Sequence, residues 1–147
     1  MTKPFAAGLV LAVAVLAAQA QPSPVGLWKT VDDDTGKEES LVRFSASGGV
    51  YTGKIEKLLD PAKQDAKCDP CSDERKDQPV LGMTIVRNVK QNAGDAALWD
   101  GGEILDPNNG KTYKVRIKPV DGGQKLEVRG YIGAPLLGRT QTWLRVE

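Results

Sequence analysis

The chain contains a series of short β-type segments separated by turn-forming residues, and this pattern decides its fold class. Apolar and polar residues alternate within the segments, as in strands that have one buried face. No window of twelve or more residues has the spacing of an amphipathic helix. The sequence therefore predicts an all-β protein whose eight strands follow one another in antiparallel, up-and-down order: 25–31, 39–45, 49–59, 83–89, 97–105, 111–119, 124–132 and 139–146.

Residues 1–20 have the features of a secretory signal peptide. Lys3 supplies a positive charge, an uncharged apolar run follows at 5–17, and the Ala-Gln-Ala of residues 18–20 is a small-x-small cleavage pattern. The alternative is an uncleaved anchor, but the run is shorter than the roughly 20 residues that cross a bilayer. We therefore expect no transmembrane segment after signal removal, a mature domain at 21–147, and a periplasmic or secreted location.

Composition limits the classes of function. The chain has 20 Lys and Arg against 19 Asp and Glu, so loss of Lys3 with the signal leaves a domain without net charge. A neutral domain lacks the basic field of nucleic-acid binders, so we expect no nucleic-acid partner. Histidine, the commonest general base and metal ligand, is absent from the sequence. We predict a protein that is not an enzyme and has no cofactor and no metal, with paired carboxylates for glycoside chemistry left as an alternative.

Two connections share the pattern D-x-x-x-G-K, at residues 32–37 and 106–111. In each, the Asp side chain can accept backbone N–H groups of the turn, and the Gly can adopt the positive φ that the turn requires. Both are predicted to be hairpin turns. Calcium binding by the triple Asp at 32–34 is the alternative, but the Gly and Glu spacing of an EF-hand loop is missing.

The segments at 111–119 and 124–132 show which side chains face inward. Tyr113, Val115 and Ile117 share one face, which makes them candidate ligand-binding residues on the inner surface. If the two segments pair, five basic residues and one Glu lie together outside: Lys114, Arg116, Lys118, Lys125, Glu127 and Arg129. We interpret this surface as a solvated strand face, with a patch for an anionic partner as the alternative.

Cys68 and Cys71 form a CxxC motif in the long connection at 60–82, which also has two patterns typical of short helical turns. An oxidising compartment favours a structural disulfide. A redox site would place the first Cys at a helix N-terminus after a buried strand, whereas a polar segment precedes Cys68. A zinc site would need carboxylate ligands. A structural disulfide is the prediction, and the redox and metal sites stay as alternatives.

The first and last predicted strands carry features that suit closure of a barrel. Gly26-Leu27-Trp28 opens the first strand and Trp143-Leu144-Arg145 ends the last. The arrangement is similar to that of lipocalin-like barrels, in which an Arg of the last strand stacks on the Trp of a first-strand GxW. Such a cation–π contact is worth about 0.5 to 2 kcal/mol. We predict that Trp28, Trp143 and Arg145 close the barrel, with two unconnected core tryptophans as the alternative.

A combination of motifs covers essentially the whole predicted mature chain. It comprises Gly26-x-Trp28, Asp33-Asp34-Thr35-Gly36-Lys37, Gly53-Lys54-Ile55, Cys68-x-x-Cys71, Lys76-Asp77-Gln78-Pro79, Gly82, Trp99-x-Gly101-Gly102-x-Ile104-x-Asp106-Pro107, Gly110-Lys111-x-Tyr113, Arg129-Gly130-Tyr131-Ile132-Gly133 and Gly138-Arg139-Thr140-Gln141-Thr142-Trp143. This combination resembles the bacterial secreted family known as domain of unknown function 2147. The resemblance implies an exported lipocalin-like β-barrel. Together with the strand pattern and the CxxC, it predicts a single, antiparallel up-and-down eight-stranded lipocalin-like barrel with one long disulfide-bearing loop. It implies no reaction, substrate or catalytic residue, and the chain departs from ordinary lipocalins because no helix is predicted after the last strand.

An apolar loop separates the last two predicted strands. Ile132, Leu136 and Leu137 occupy positions where soluble proteins usually have polar residues, and nearby glycines permit sharp bends. We interpret them as a plug over a filled core, because exposed apolar patches are rare on monomers. The alternative is a portal over a cavity, in which case all three are candidate ligand-binding residues.

The interior of an eight-stranded barrel is either filled by side chains or holds one small ligand. Aromatic residues make up only 5% of the chain, which favours room inside. We predict an exported, non-enzymatic barrel that binds a small apolar or amphiphilic ligand. The alternatives are a protein-interaction module that acts through its outer face or the 60–82 connection, with its protein partner unknown, and a thiol–disulfide redox protein that uses Cys68 and Cys71.

Overall fold

The computed structural model describes residues 2–14 and 22–147, and within them the chain forms one closed antiparallel β-barrel. Each strand pairs with its neighbours in sequence, and the first strand also pairs with the last. The predicted eight-stranded up-and-down architecture is confirmed. The strands are β1 Gly26–Val31, β2 Glu38–Ser47, β3 Val50–Leu58, β4 Thr84–Gln91, β5 Trp99–Asp106, β6 Lys111–Val120, β7 Lys125–Tyr131 and β8 Arg139–Arg145.

Residues 2–14 have no helix or strand and are exposed. The predicted cleavage pattern at 18–20 lies outside the described residues. Three short 3₁₀ turns are described, at Pro61–Lys63, Asp121–Gly123 and Pro135–Leu137.

The up-and-down order divides the barrel into two ends. The connections β1–β2, β3–β4, β5–β6 and β7–β8 lie at one end, which we name the mouth end. The connections β2–β3, β4–β5 and β6–β7 lie at the other, the floor end, together with the start of β1 and the finish of β8. Any ligand that reaches the interior through the mouth end therefore meets the four connections of that end first.

Apolar side chains fill the interior toward the floor end. Trp28, Phe44 and Trp99 are almost completely buried, and the rings of Phe44 and Trp143 lie 6.1 Å apart. Full burial of a side chain the size of Phe contributes about 1.5 to 3 kcal/mol relative to its exposure. The half of the barrel near the floor end is therefore a packed core.

The two D-x-x-x-G-K segments form the predicted hairpin turns. Asp32 Oδ1 accepts hydrogen bonds from the backbone N–H groups of Asp34 at 3.0 Å and Thr35 at 2.9 Å, and Gly36 has a φ of +70°. In the second turn, the side chain of Asp106 accepts the N–H of Asn108 at 2.9 Å. The carboxylates thus satisfy backbone donors that the turn leaves free, as the sequence predicts.

The long β3–β4 connection is ordered by local hydrogen bonds. Asp60 caps the 3₁₀ turn that follows it by accepting the N–H of Ala62 at 2.9 Å, as expected. Asp73 accepts the N–H of Arg75 at 2.9 Å, but only a hydrogen-bonded turn follows there. An isolated bridge joins Lys67 to Pro79 and closes the connection on itself.

Candidate functional site

A cavity of about 590 Å³ opens at the mouth end of the barrel. All four mouth-end connections contribute to its rim, and the strand interiors form its walls. Its volume falls within the range of about 300 to 1,000 Å³ that is usual for small-molecule sites. The barrel is therefore filled toward the floor end and hollow toward the mouth end.

The bottom and walls of the cavity are mainly apolar. Trp143 forms part of the bottom, and the apolar residues that share this surface are Ile55, Leu58, Ile85, Ile104, Leu105 and Val128. The indole N–H of Trp143 donates to Gln141 Oε1 at 2.9 Å, so the polar edge of the ring already has a hydrogen-bond partner. This surface suits an apolar molecule or the apolar part of an amphiphile.

A small polar group lies on the wall between β1 and β2. The hydroxyls of Thr30 and Ser40 are 2.9 Å apart, and the N–H of Ser40 donates to the Thr30 hydroxyl at 3.1 Å. Both side chains are buried and line the cavity. Because they satisfy each other, they add polarity to the wall without an unpaired group.

Glu39 reaches the same wall because of a β-bulge. Lys29 pairs with Leu41 and Val31 pairs with Glu38, so two residues of β2, Glu39 and Ser40, oppose one residue of β1. A bulge of this kind breaks the alternation of side chains and re-aims one of them. Glu39 accordingly lines the cavity beside Ser40, although strict alternation would place the two on opposite faces.

The Glu39 carboxylate is only half-buried, but its surroundings change its acidity. Burial away from water is the largest cause that raises the pKa of Glu39, and the negative charge of Asp32 raises it further. Lys63 and Lys37 oppose this shift, and Asp106 adds to it. Within the described residues, no side chain forms a hydrogen bond or an ion pair with this carboxylate.

Ion pairs join the rim of the cavity. Arg139, at the start of β8, donates from Nε to Asp33 Oδ2 at 2.9 Å and from Nη2 to Asp33 Oδ1 at 2.8 Å. The same Nη2 donates to Asp34 Oδ2 at 2.6 Å. Lys37 lies 3.5 Å from Asp60, which connects the β1–β2 turn to the β3–β4 connection. Two of the rim cations are therefore already engaged by carboxylates.

The disulfide-bearing connection forms another part of the rim. Cys68 and Cys71 lie at disulfide distance with their Cα atoms 5.4 Å apart, and Cys68 Sγ is 3.7 Å from the carbonyl oxygen of Pro107 in the β5–β6 turn. Gly110 is needed in that turn because an added Cβ would overlap the Pro70 carbonyl. The two mouth-end segments are thus packed tightly together.

Both cysteines are buried, with 0% and 2% of their surfaces exposed. Cysteines that exchange disulfides are usually partly exposed in an electropositive environment. The burial of Cys68 and Cys71 therefore favours the structural reading of the CxxC over the redox alternative. Among the described residues, no group of three or more His, Cys, Asp and Glu is arranged to hold a metal ion.

The plug interpretation of the β7–β8 loop is wrong. Ile132, Leu136 and Leu137 are exposed by 64%, 89% and 76%, and none of them covers the core. Arg129 gives the reason, since its guanidinium donates to the carbonyl oxygens of Pro135 at 2.7 Å and Leu136 at 3.3 Å. These bonds tie the loop to β7 instead of letting it fold over the mouth.

The structure brings together only half of the candidate ligand-binding residues. Ile132 and Leu137 lie on the cavity rim, and Tyr113 lines the cavity, with its hydroxyl accepting a hydrogen bond from Asn109 Nδ2 at 3.0 Å. Leu136 is not part of the cavity lining. Val115 and Ile117 face inward as predicted but are fully buried in the packed half, below the cavity.

The predicted closure residues also divide between two places. The Arg145 guanidinium carbon lies 4.2 Å from the centroid of the Trp28 ring, and the Trp28 indole N–H donates to the Pro24 carbonyl at 2.7 Å. Arg145 also donates to the carbonyl of Val25 at 3.0 Å. Trp143 is not part of this contact, because it lies at the bottom of the cavity. The side chains that sequence reasoning missed altogether are Thr30, Glu39 and Ser40, whereas Arg139 and Gln141 were singled out only as part of a family motif and not as cavity residues.

The sequence and the structure both resemble known proteins. A family model described as "Uncharacterized protein conserved in bacteria (DUF2147)" matches residues 26–145. The chain belongs to this family. The matched range of the DUF2147 family runs from the first residue of β1 to the last of β8, so it includes the whole barrel and every residue of the cavity.

Protein HP1028 of Helicobacter pylori, described as belonging to the lipocalin family, is similar in structure to this DUF2147 protein. The TM-score is 0.72 at 22% sequence identity, and the match covers 85% of this chain and 84% of HP1028. At this identity the likeness shows a lipocalin-like fold. No curated protein was found to match the chain. Within the described ranges, the structure contains no helix of the length and apolarity needed to cross a bilayer.

Proposed function

We propose that this DUF2147 protein is an exported, non-enzymatic binding protein that takes a small apolar or amphiphilic molecule into the mouth-end cavity. The observation that carries the proposal is the cavity of about 590 Å³ above an apolar bottom that includes Trp143 and Val128. A packed core of buried side chains lies below the cavity and continues into its apolar bottom.

The rim supports a route of entry. Ile132 and Leu137 are both exposed and both border the cavity, so an apolar molecule can contact them before it enters. Exposed apolar residues of this size at the edge of a cavity are typical of ligand entrances. The portal interpretation of the loop replaces the plug interpretation.

Export is supported by the signal-like residues 1–20 and by the disulfide, which is favoured in oxidising compartments. A binding role rather than catalysis is supported by the cavity wall, where Thr30 and Ser40 are paired with each other and the Trp143 indole is paired with Gln141. A hydroxyl that acted as a catalytic nucleophile would instead need an adjacent base to activate it.

A glycine on the cavity wall provides the test. A Cβ added to Gly130 would meet Tyr113 Cβ at 3.5 Å and Ile104 Cγ2 at 3.7 Å, which is ordinary van der Waals contact beside two cavity residues. Gly130→Leu should therefore fill part of the cavity and leave the strands in place. Gly94→Leu, on the exposed β4–β5 connection at the floor end, is the matched control.

The measurement is a fluorescence titration with the neutral apolar dye N-phenylnaphthylamine. We expect saturable binding to the wild-type protein, at least about tenfold weaker binding to Gly130→Leu, and unchanged binding to Gly94→Leu. Equal binding to all three proteins would place the dye outside the cavity and refute the proposal. Native mass spectrometry of protein purified from its own host then reports the mass of any molecule that occupies the cavity.

A further inference from the structure

We propose that Glu39 makes the cavity selective for amphiphiles that carry a positively charged group, with the cation at the Glu39 carboxylate and the apolar part on the Trp143 side. This inference rests on the proposed binding function and names the chemical class of the ligand.

The position of Glu39 comes from the bulge between β1 and β2. The neighbouring carboxylate, Glu38, lies on the outer surface, where it forms an ion pair with Lys29 at 3.3 Å. Glu39, one residue further, lines the cavity. Two adjacent glutamates of one strand therefore have different surroundings, one with a partner outside the barrel and one on the cavity wall.

A carboxylate that loses water without gaining a partner is destabilised. Glu39 is partly in this position, because it is half-buried and, in the described part of the chain, no side chain donates to its carboxylate. Burial is the largest cause that raises the pKa of Glu39. By contrast, the other rim carboxylates have partners. Asp33 binds Arg139, Asp60 binds Lys37, and Asp106 accepts the N–H of Asn108.

The charges that face Glu39 come from three connections. Asp32 in the β1–β2 turn and Asp106 in the β5–β6 turn are negative, and Lys37 and Lys63 are positive. Lys37 also lies 3.5 Å from Asp60, so its positive charge offsets less of the negative charge of Glu39. Lys63 is the last residue of the 3₁₀ turn Pro61–Lys63 and is exposed. Counted with Glu39 itself, the three carboxylates exceed the two lysines by one negative charge. A ligand cation is the charge that complements this excess.

The cavity also sets the shape of such a ligand. Ile55, Val128 and Trp143 line the part below Glu39, and they offer only apolar contacts apart from the satisfied indole edge. A molecule with a hydrocarbon part and one ammonium group can bury the first and pair the second. An anionic head in the same orientation would meet the unpaired carboxylate and be repelled.

Three ligands with one tail test the inference: dodecylammonium, dodecanol and dodecanoate. Each is titrated against the wild-type protein by displacement of N-phenylnaphthylamine at neutral pH. We expect dodecylammonium to bind at least about tenfold more tightly than dodecanoate, because the ammonium group gains a charge-assisted hydrogen bond with Glu39 whereas the carboxylate head group is repelled by it. Equal binding, or a preference for dodecanoate, would overturn the inference.

Glu39→Gln removes the charge and keeps the shape. The variant should lose about tenfold in affinity for dodecylammonium while its affinity for dodecanol is unchanged. Glu38→Gln, which changes the adjacent carboxylate on the outer face, should leave all three affinities as they are. If Glu39→Gln binds dodecylammonium as tightly as the wild-type protein does, the carboxylate does not recognise the ligand.

A pH series on the wild-type protein gives the same answer without a substitution. The ratio of dodecylammonium to dodecanol affinity should fall as the pH is lowered from 7 through the raised pKa of Glu39, because protonation removes the negative charge. The ammonium group stays charged throughout this range. A constant ratio would contradict the inference.

Failure of the wild-type protein to bind the dye at all would refute the binding function itself, whereas dye binding without charge selectivity would refute only the role of Glu39.

Discussion

The guanidinium of Arg145 lies over the indole of Trp28, with its central carbon 4.2 Å from the ring centroid, and this contact joins the last strand to the first. The same two residues are backbone partners in the β1–β8 ladder. Arg145 also donates to the carbonyl oxygen of Val25, and burial lowers its pKa. One side chain therefore serves both the aromatic contact and the backbone near the start of β1.

Arg145→Ala should lower the free energy of unfolding by about 2 kcal/mol, because it removes a cation–π contact and charge-assisted hydrogen bonds to carbonyl groups. Arg116→Ala, on the outer face of β6, is the control and should change the stability by no more than about 0.5 kcal/mol. Urea unfolding measures both. A double-mutant cycle with Trp28→Phe should show coupling, and additive effects would mean that the two residues act independently.

Leu136 and Leu137 test whether the β7–β8 loop is an entrance to the cavity. Leu137 borders the cavity and Leu136 does not, although both are highly exposed. Leu137→Asp should weaken dye binding severalfold, because a hydrated carboxylate opposes the passage of an apolar molecule, whereas Leu136→Asp should leave binding unchanged. Thermal unfolding of both variants should match that of the wild-type protein. Equal losses of dye binding in the two variants would show that the loop contributes a general apolar surface and not an entrance.

The disulfide should stabilise the mouth end without being required for the barrel. Cys68→Ala together with Cys71→Ala should lower the free energy of unfolding by about 2 to 4 kcal/mol, from the lost cross-link and the lost burial. Circular dichroism should still report the β-sheet, because both cysteines lie outside the eight strands. Dye binding should weaken, since the connection contributes Val80 to the cavity. Loss of the β-sheet signal would show that the connection is part of the folding core.

Asp73 gives a dependence of stability on pH. Hydrogen bonds from Arg75 are the main cause that lowers the pKa of Asp73 from 3.8 to about 2. Because the folded-state value lies below the ordinary one, ionised Asp73 stabilises the fold above about pH 3.8, and this contribution is lost as the pH falls toward about 2. Asp73→Asn should cost about 2 kcal/mol at pH 7 and much less at pH 2.

The control for this prediction is Asp69→Asn, because the Asp69 side chain is 93% exposed and lies 3.9 Å from the exposed Lys76. Its unfolding free energy should follow that of the wild-type protein at every pH. The role of Asp73 would be contradicted if the difference between wild-type and Asp73→Asn proteins were the same at pH 7 and pH 2.

Local chemistry made the strands predictable. Alternation along β6 and the Asp and Gly of the hairpin turns act within a few residues, so the sequence alone shows them. Alternation does not show how deep a side chain lies along the barrel axis. Tyr113, Val115 and Ile117 share one face, but only the pairing of all eight strands shows that Tyr113 reaches the cavity and the other two lie in the packed half.

Long-range geometry explains the side chains that were missed. The bulge that aims Glu39 depends on how β2 is registered against β1, and alternation alone would have put Glu39 outside. The β7–β8 loop was misread for a similar reason, since the tendency of leucines to be buried is outweighed by hydrogen bonds from Arg129 to the loop carbonyls. Neither relationship leaves a local pattern in the sequence.

The arrangement of the connections has a practical consequence. β1 starts and β8 finishes at the floor end, on the side of the barrel opposite the cavity opening. A tag or a carrier domain fused beyond Glu147 would therefore leave the opening free. Tethered to a sensor chip in this way, the barrel would present its entrance to the solution, so that libraries of small amphiphiles can be screened without chemical labelling.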